Sequence, residues 1–306
     1  VDGQMNNVKS TAERRNIITG ATVPLDTRYP DGDNNMNSFG VYAQHLMKLW
    51  NEKLVINDGV RLQYVGLRST INNNSFFNFP FTEIEQANTA VTGNLGAVYM
   101  PAAATRLTLG FATGFRTPNV DDLARIFESN TASRQLVVPN PDIKPEYTYS
   151  VDGGITQSWD GLQLELNGFY TLFRNAISLA PFRLNGQDSV LYNGVQAKVF
   201  SNQNVSKAFL WGGHASLSFK FAQHFKLFST LNYTYGRLQV RDKGEVPLDH
   251  IPPLFGKTGV TYTTPKVQGE LYAMYNGWKK IANYNPSGED NAQYATPDGT
   301  PPWATL

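Results

Sequence analysis

Apolar and polar residues alternate with a period of two along most of the chain. From Leu162 to Phe173, one face carries Leu162, Leu164, Leu166, Gly168, Tyr170 and Leu172. The other carries Gln163, Glu165, Asn167, Thr171 and Phe173. Between Phe225 and Tyr235, Phe225, Leu227, Leu231, Tyr233 and Tyr235 oppose Lys226, Thr230, Asn232 and Thr234. Ala215, Leu217, Phe219 and Phe221 alternate with His214, Ser216, Ser218 and Lys220 in the same way. Successive Cβ atoms of a strand point to opposite faces, so each segment has one apolar and one polar side. The pattern predicts ten strands and the start of an eleventh. They cover about 37–48, 53–69, 88–100, 105–116, 145–158, 162–177, 199–222, 225–239, 255–263 and 267–282, with the last opening at Trp303.

The connections alternate as well. Short polar turns fall near Leu49–Glu52, Pro101–Ala104, Trp159–Gly161, Gln223–His224 and Thr264–Lys266. Long segments rich in Pro, Gly, Asn and Asp cover roughly 71–85, 118–143, 179–195, 240–254 and 284–302. Short turns on one rim and long loops on the other describe an antiparallel up-and-down transmembrane β-barrel. A soluble β-sandwich also alternates, but its strands average about five or six residues and its long loops fall on both ends.

Composition narrows the classes. Charged residues make up only 17% of the chain against roughly 25% in soluble domains, and aromatics reach 12%. A net charge of +1 offers no basic stripe, so no nucleic-acid partner is expected. Without cysteine there is no thiol nucleophile, thiolate metal site or disulfide. No apolar run approaches the ~18 residues of a membrane-spanning helix, whereas a barrel strand needs only about 9–11 alternating ones. P-loop, His-Glu-x-x-His, Gly-x-Ser-x-Gly and Gly-x-Gly-x-x-Gly motifs do not occur. Neither an enzyme nor a resident cofactor is expected.

Four segments carry a more specific signal. Gly114-Phe115-Arg116-Thr117-Pro118-Asn119 resembles the Phe-Arg-(small)-Pro-Asn box of the TonB-dependent outer-membrane receptors. Asn140-Pro141-Asp142-Ile143-Lys144-Pro145-Glu146 is similar to that family's Asn-Pro-(Asn/Asp)-Leu-Lys-Pro-Glu box. Pro247-Leu248-Asp249-His250-Ile251-Pro252-Pro253 resembles its Pro-Leu…Ile-Pro-Pro signature. Gly299-Thr300-Pro301-Pro302-Trp303 resembles its Gly-Thr-Pro-(Gly)-Trp segment. Their order and spacing match over nearly all of 37–306.

The resemblance implies a barrel of about 22 strands around a plugged lumen. On that count the strand at Trp303 is the twentieth and the one near Phe39 the tenth. Residues 1–35 are then an extracellular loop segment and 36–306 a partial barrel, with plug, energy-coupling box and closing strands outside them. The implied function is outer-membrane import of a scarce bulky nutrient, a ferric siderophore or similar iron chelate. The implied partners are the TonB energy-coupling complex, reached through the plug, and the lipid and lipopolysaccharide of a Gram-negative outer membrane. The alternatives are a binding subunit of a larger surface complex, a passive porin, or a soluble glycan-binding β-protein.

Candidate ligand-binding residues are Arg116, Asp122 and Arg125, where the first box meets its loop, with Phe77, Tyr192, His250 and Tyr294 in other long loops. A cationic rim suits an anionic chelate, although Arg116 equally suits bracing of neighbouring strands. Phe76, Phe77, Phe79, Tyr192 and Tyr294 could stack on a flat ligand or stabilise loop packing. Haem receptors of the family place a histidine between the first two boxes, and residues 119–139 hold none. His45, His214 and His224 fall in strands or a short turn and read as structural. Tyr147, Tyr149, Tyr233, Tyr235 and Trp278 read as residues of an aromatic membrane girdle.

Overall fold

The structure, a computed structural model, describes residues 1–24, 29–74, 78–130, 134–192, 194–204, 207–240, 244–285 and 295–306. In chain order the strands begin with β1 (Asp2–Val8), β2 (Glu13–Arg15), β3 (Thr22–Pro24), β4 (Asn34–Leu49), β5 (Leu54–Thr70), β6 (Glu83–Ala102) and β7 (Thr105–Arg116). A five-residue helix, α1 (Val120–Ala124), precedes β8 (Phe127–Asn130), β9 (Gln135–Val137), β10 (Glu146–Trp159) and β11 (Leu162–Arg174). There follow β12 (Ile177–Pro181), β13 (Ser189–Tyr192), β14 (Val195–Asn204), β15 (Lys207–Ala222), β16 (Phe225–Val240) and β17 (Gly244–Pro247). The last strands are β18 (Phe255–Thr263), β19 (Gln268–Asn276), β20 (Lys279–Lys280), β21 (Gly299–Thr300) and β22 (Trp303–Thr305). No helix among the described residues is long and apolar enough to cross a membrane, which says nothing against crossing by strands.

One antiparallel sheet runs β1-β4-β5-β6-β7-β10-β11-β15-β16-β18-β19-β22, with β17 added at the top of β16. Each wall strand pairs with the wall strand before and after it, as an up-and-down barrel requires, and the sheet is open. Every predicted strand has a counterpart, although the one expected over 267–282 leaves the wall at Asn276, its remainder forming β20 and a 3-10 turn at Ile281–Asn283. The sheet starts earlier than expected, however. Asp2–Val8 pairs with the upper half of β4, from Asp2↔Gly40 to Val8↔Asn34, so part of the expected loop segment is strand. The stretch 199–222 is also two elements: β14 lies in a separate sheet and only β15 joins the wall.

Register shows what each face carries. Leu62, Val91, Leu109, Phe111, Val151, Tyr170, Trp211 and Leu231 fall on the outward face of successive strands, and most of these side chains are exposed. The inward face carries Arg61, Asn57, Asn94, Asp152, Asn167, His214, Asn232 and Lys257. This inverts a soluble protein, whose strands bury their apolar side.

Aromatics bracket the outward face. On the short-turn side, Trp50 meets Tyr99, and Phe219, Phe221, Phe225 and Tyr262 form a continuous chain of ring contacts. On the long-loop side, Phe115 meets Tyr147, and Phe209, Trp211, Tyr233 and Tyr235 cluster. Leu54 stands opposite Tyr99, and Tyr64 lies ten residues further along β5. Ten residues at ~3.3 Å, tilted by ~40°, rise about 25 Å, the height of a lipid-facing band.

Among the described residues, one histidine–carboxylate pair interrupts that band. His45 Nδ1 lies 3.1 Å from Asp58 Oδ1, and the two are direct cross-strand partners on the outward face. Of the other histidines, His214 bonds Asn232 Oδ1 at 2.8 Å on the inward face, and His224 bonds the Thr263 carbonyl at 3.0 Å in a turn.

Candidate functional site: a knitted cap over the barrel mouth

The buried core lies in the long connections and at the rim they cover. The described parts of 71–82, 117–145 and 175–206 fold over the mouth together. There β8, β9, β12, β13 and β14 form a second sheet, in which β14 pairs β9 in parallel. Ile71, Phe79, Leu136, Val138, Leu184, Ala197 and Val199 form its buried cluster. Leu123, Ala124 and Ile143 pack against Leu67 and Ile84, seating α1 on the inner face of β5 and β6. Burying the larger of these side chains stabilises the cap by roughly 1.5–3 kcal/mol each before entropy is set against it.

The first two sequence boxes are the fastening of this cap. Asn119 N-caps α1: its Oδ1 accepts from Asp122 N at 2.9 Å, and Asp122 Oδ2 accepts from Asn119 N at 3.1 Å. Arg116 Nη1 reaches the same Asp122 Oδ2 at 2.7 Å, and its Nε approaches Glu146 Oε1 at 3.5 Å. Glu146 Oε2 accepts from Ile177 N at 2.9 Å, tying β12 to the same knot. One guanidinium thus joins the tops of β7 and β10 to the helix and the second sheet. Pro118 is fully buried beside it.

The second box is held from both sides. Asn140 donates to the Asn202 carbonyl at 2.8 Å, and its Oδ1 accepts from Asp142 N at 3.1 Å. Gln86 of β6 donates to the carbonyls of Pro141 and Ile143 at 2.9 and 2.8 Å. Asn204 Oδ1 accepts from Lys144 N at 2.7 Å, while its Nδ2 donates to the carbonyls of Lys144 and Asn175 at 2.8 and 2.7 Å. Asn175 Nδ2 in turn reaches the Pro145 carbonyl at 3.4 Å.

The third box lies flat on β16. Leu248 N donates to the Gly236 carbonyl at 3.2 Å. A Cβ at Gly236 would sit 2.8 Å from Leu248 Cδ1 and 3.2 Å from Ile251 Cδ1, so any larger residue there would push the box outward. Pro252 and Pro253 border an outer groove with Tyr235 and Trp278.

A cleft of about 390 Å³ opens at the inner rim, between α1, the tops of β10, β15 and β16, β12 and the third box. Arg116, Asp122, Arg125 and His250 all line it, with Glu146, Ile177, Ser178, Asn202, Asp249 and Asn285. Four candidates, from two separate connections, are therefore neighbours. His250 is held at φ +57°, a left-handed conformation uncommon for a residue with a side chain. Tyr192 lies elsewhere, packed against the cap's apolar cluster, and Phe79 is buried in that cluster with its ring stacked on Phe81. Phe76, Phe77 and Tyr294 lie outside the described residues.

The rim is not simply cationic. Arg116 is matched by Asp122 and Glu146, and Arg125 Nη1 lies 3.4 Å from Asp121 Oδ2. Bracing accounts for the charge of Arg116. Gln86, Asn202 and Asn204, which complete the fastening, escape sequence reading because lone amides carry no spacing signal. Among the described residues no group of three or more His, Asp or Glu is placed to hold a metal.

Comparison with known proteins gives a consistent result. The family model for the TonB dependent receptor-like β-barrel matches residues 3–306. The probable hemoglobin and hemoglobin-haptoglobin-binding protein 4 of Haemophilus influenzae is 26% identical over 200 residues, 63% of this chain and 20% of that protein. The chain therefore spans about a fifth of the length of that curated relative. The copper transporter OprC superposes with a TM-score of 0.74 at 18% identity, over 99% of this chain and 43% of that one. A double mutant of the Serratia marcescens hemophore receptor HasR, solved with its hemophore HasA and heme, gives 0.61 at 13% identity, over 89% and 52%. Those structural likenesses establish the fold, and the family match over almost the whole length establishes kinship: the chain belongs to the TonB-dependent receptors, as part of their β-barrel.

Proposed function

We propose that the protein is an outer-membrane receptor that captures an iron chelate at the loop cap and imports it with energy delivered through TonB. The observation that carries this reading is the cleft beside the cap fastening. It faces the barrel mouth, is lined by both charges and apolar groups, and is bounded by segments from four separate connections. A bulky ligand with anionic and aromatic parts suits such a lining, with polar groups fixing orientation and apolar ones giving area. Binding there would load α1 and β12 directly, and both are tied to the barrel wall through Arg116 and Glu146. Import needs the plug and the periplasm-spanning partner, which the family supplies outside these residues.

A second reading, capture of haem from a haemoprotein, is favoured by the haemoglobin-binding relatives. His250, which lines the cleft, is the histidine it would use.

Filling the cleft tests the proposal. In the full-length receptor, Ser178→Trp is expected to cut uptake of radiolabelled iron by iron-starved cells about tenfold or more, with unchanged receptor at the surface. Unchanged uptake would remove the cleft from the transport route. His250→Ala separates the two readings, since it should abolish growth on haem while leaving growth on a ferric siderophore nearly intact.

A further inference from the structure

We propose that the outward face of β4 and β5 is an interface between two copies of the barrel, centred on His45 and Asp58. Ionisable side chains in a hydrocarbon layer are costly, and such groups face protein partners or polar cavities. Here the two side chains are 60% and 49% exposed, on the face that the wall turns toward lipid. Their one hydrogen bond uses Nδ1 and Oδ1. Among the described residues, Nε2 of His45 and Oδ2 of Asp58 have no partner. In a single barrel diluted in lipid the pair faces hydrocarbon, and pairing of copies removes it.

Symmetry decides what satisfies the open atoms. Two barrels inserted in the same sense are related by a two-fold axis along the membrane normal, which preserves depth. His45 and Asp58 are direct cross-strand partners. Strands ~4.8 Å apart and tilted by ~40° place such partners within about 3 Å of one depth. A donor and an acceptor side by side at one depth are self-complementary about that axis. An imidazolium donates from both nitrogens, so His45 holds its own Asp58 through Nδ1 and reaches the partner's Asp58 through Nε2. The reciprocal bond forms at the same time, and charges of alternating sign close into a neutral ring. Both halves of the contact lie on this one face, which favours a second copy over a different protein.

The neighbouring wall is shaped for the same contact. Beside Asp58, whose partner on β6 is Leu95, an outward groove of about 490 Å³ runs between Val60, Val91, Leu95, Phe111 and Tyr149. All five of these side chains are exposed. Gly93 lies on the floor, its N–H donating to Thr113 Oγ1 at 2.8 Å. A Cβ there would lie 2.8 Å from the Gly59 carbonyl oxygen, so the glycine cannot be replaced by a residue that fills the groove. A plain convex wall meets its copy along a line, whereas this groove admits apolar side chains of the second barrel. The inference rests on the membrane reading and is independent of the cargo.

The test uses the full-length receptor in outer membranes, with Ala43→Cys as the added thiol and the unsubstituted receptor as blank. Ala43 lies two residues from His45 along β4, on the same outward face. Mild oxidation should give a cross-linked band at twice the receptor's mass. That band should be about tenfold stronger than from Leu166→Cys, on the outward face of β11. Adding His45→Leu with Asp58→Leu should weaken the band about tenfold, with the barrel still inserted. The exchange His45→Asp with Asp58→His keeps both groups on the face and should preserve the band. Equal cross-linking of the two thiol variants would mark random collision and overturn the proposal. So would a band unchanged by the double leucine change, or a cross-link to a protein of different mass, which would assign the face to another partner. Should the leucine variant fail to insert, loss of the band in the exchange variant would overturn the proposal, because the exchange leaves self-complementarity intact. A heat-modifiable band in the outer-membrane fraction tests membrane residence separately.

Discussion

Arg116→Ala in the full-length receptor should loosen the cap while leaving the barrel intact. The substitution strands Asp122 and Glu146, whose side chains are only 14% and 12% exposed. Removing one partner of a buried ion pair costs about 3–5 kcal/mol. Arg116 itself is 44% exposed, so water screens part of the interaction and about 2 kcal/mol is the better figure. The loss falls on α1 and β12, since the wall strands keep their ladder. Hydrogen exchange in detergent should show residues 117–146 opening about thirtyfold faster, with β5–β6 amides unchanged. Arg116→Lys should fall between, because a lysine cannot reach both carboxylates with a planar fork. If cap exchange is unaltered, Arg116 does not brace the cap and its charge is available to ligand instead.

His45→Leu should be the most damaging conservative-looking change in the wall. Asp58 lies four residues above Leu54 on β5, about 10 Å above the short-turn girdle by strand rise and tilt. Without His45 its carboxylate faces hydrocarbon alone, at an expected cost of about 2 kcal/mol. The double change His45→Leu with Asp58→Leu should restore or exceed the original stability, since an apolar pair replaces a desolvated polar one. Urea unfolding of the full-length receptor in lipid vesicles would measure both. Single and double variants that unfold alike would show that this face does not meet lipid hydrocarbon.

Much of the wall was legible in the sequence because period-two alternation is a one-dimensional signal. Leu162 to Leu172 reads as an outward face from the letters alone, and register agrees. The strand ends were less legible. Asn175, at φ +54°, ends β11 three residues before the expected boundary. The run 199–222 read as one strand because Val199 and Lys207 are separated by little more than polar residues. Pairing partners across the cap, not local pattern, divide it into β14 and β15. Strand β1 was missed for a related reason: DGQMNNV carries almost no apolar alternation, and its pairing with β4 alone defines it.

The site was half legible. The boxes marked Arg116, Asn119, Asn140 and Glu146, and the geometry gives them a common task as fastenings. The convergence of Arg116, Asp122, Arg125 and His250 on one cleft depends on contacts between the long connections, which no spacing rule foretells. Tyr192, for which the sequence left both ligand stacking and loop packing open, packs against the cap's apolar cluster.

The measurement that tests the account most directly is the cargo of the full-length protein taken from the outer membranes of iron-starved cells. Iron content and absorbance between about 350 and 450 nm would be recorded on the detergent-extracted receptor. Outer-membrane residence, with iron bound as a chelate and lost on Ser178→Trp, is the predicted result. A water-soluble protein, or a membrane barrel that takes up no iron compound in either form, would contradict it.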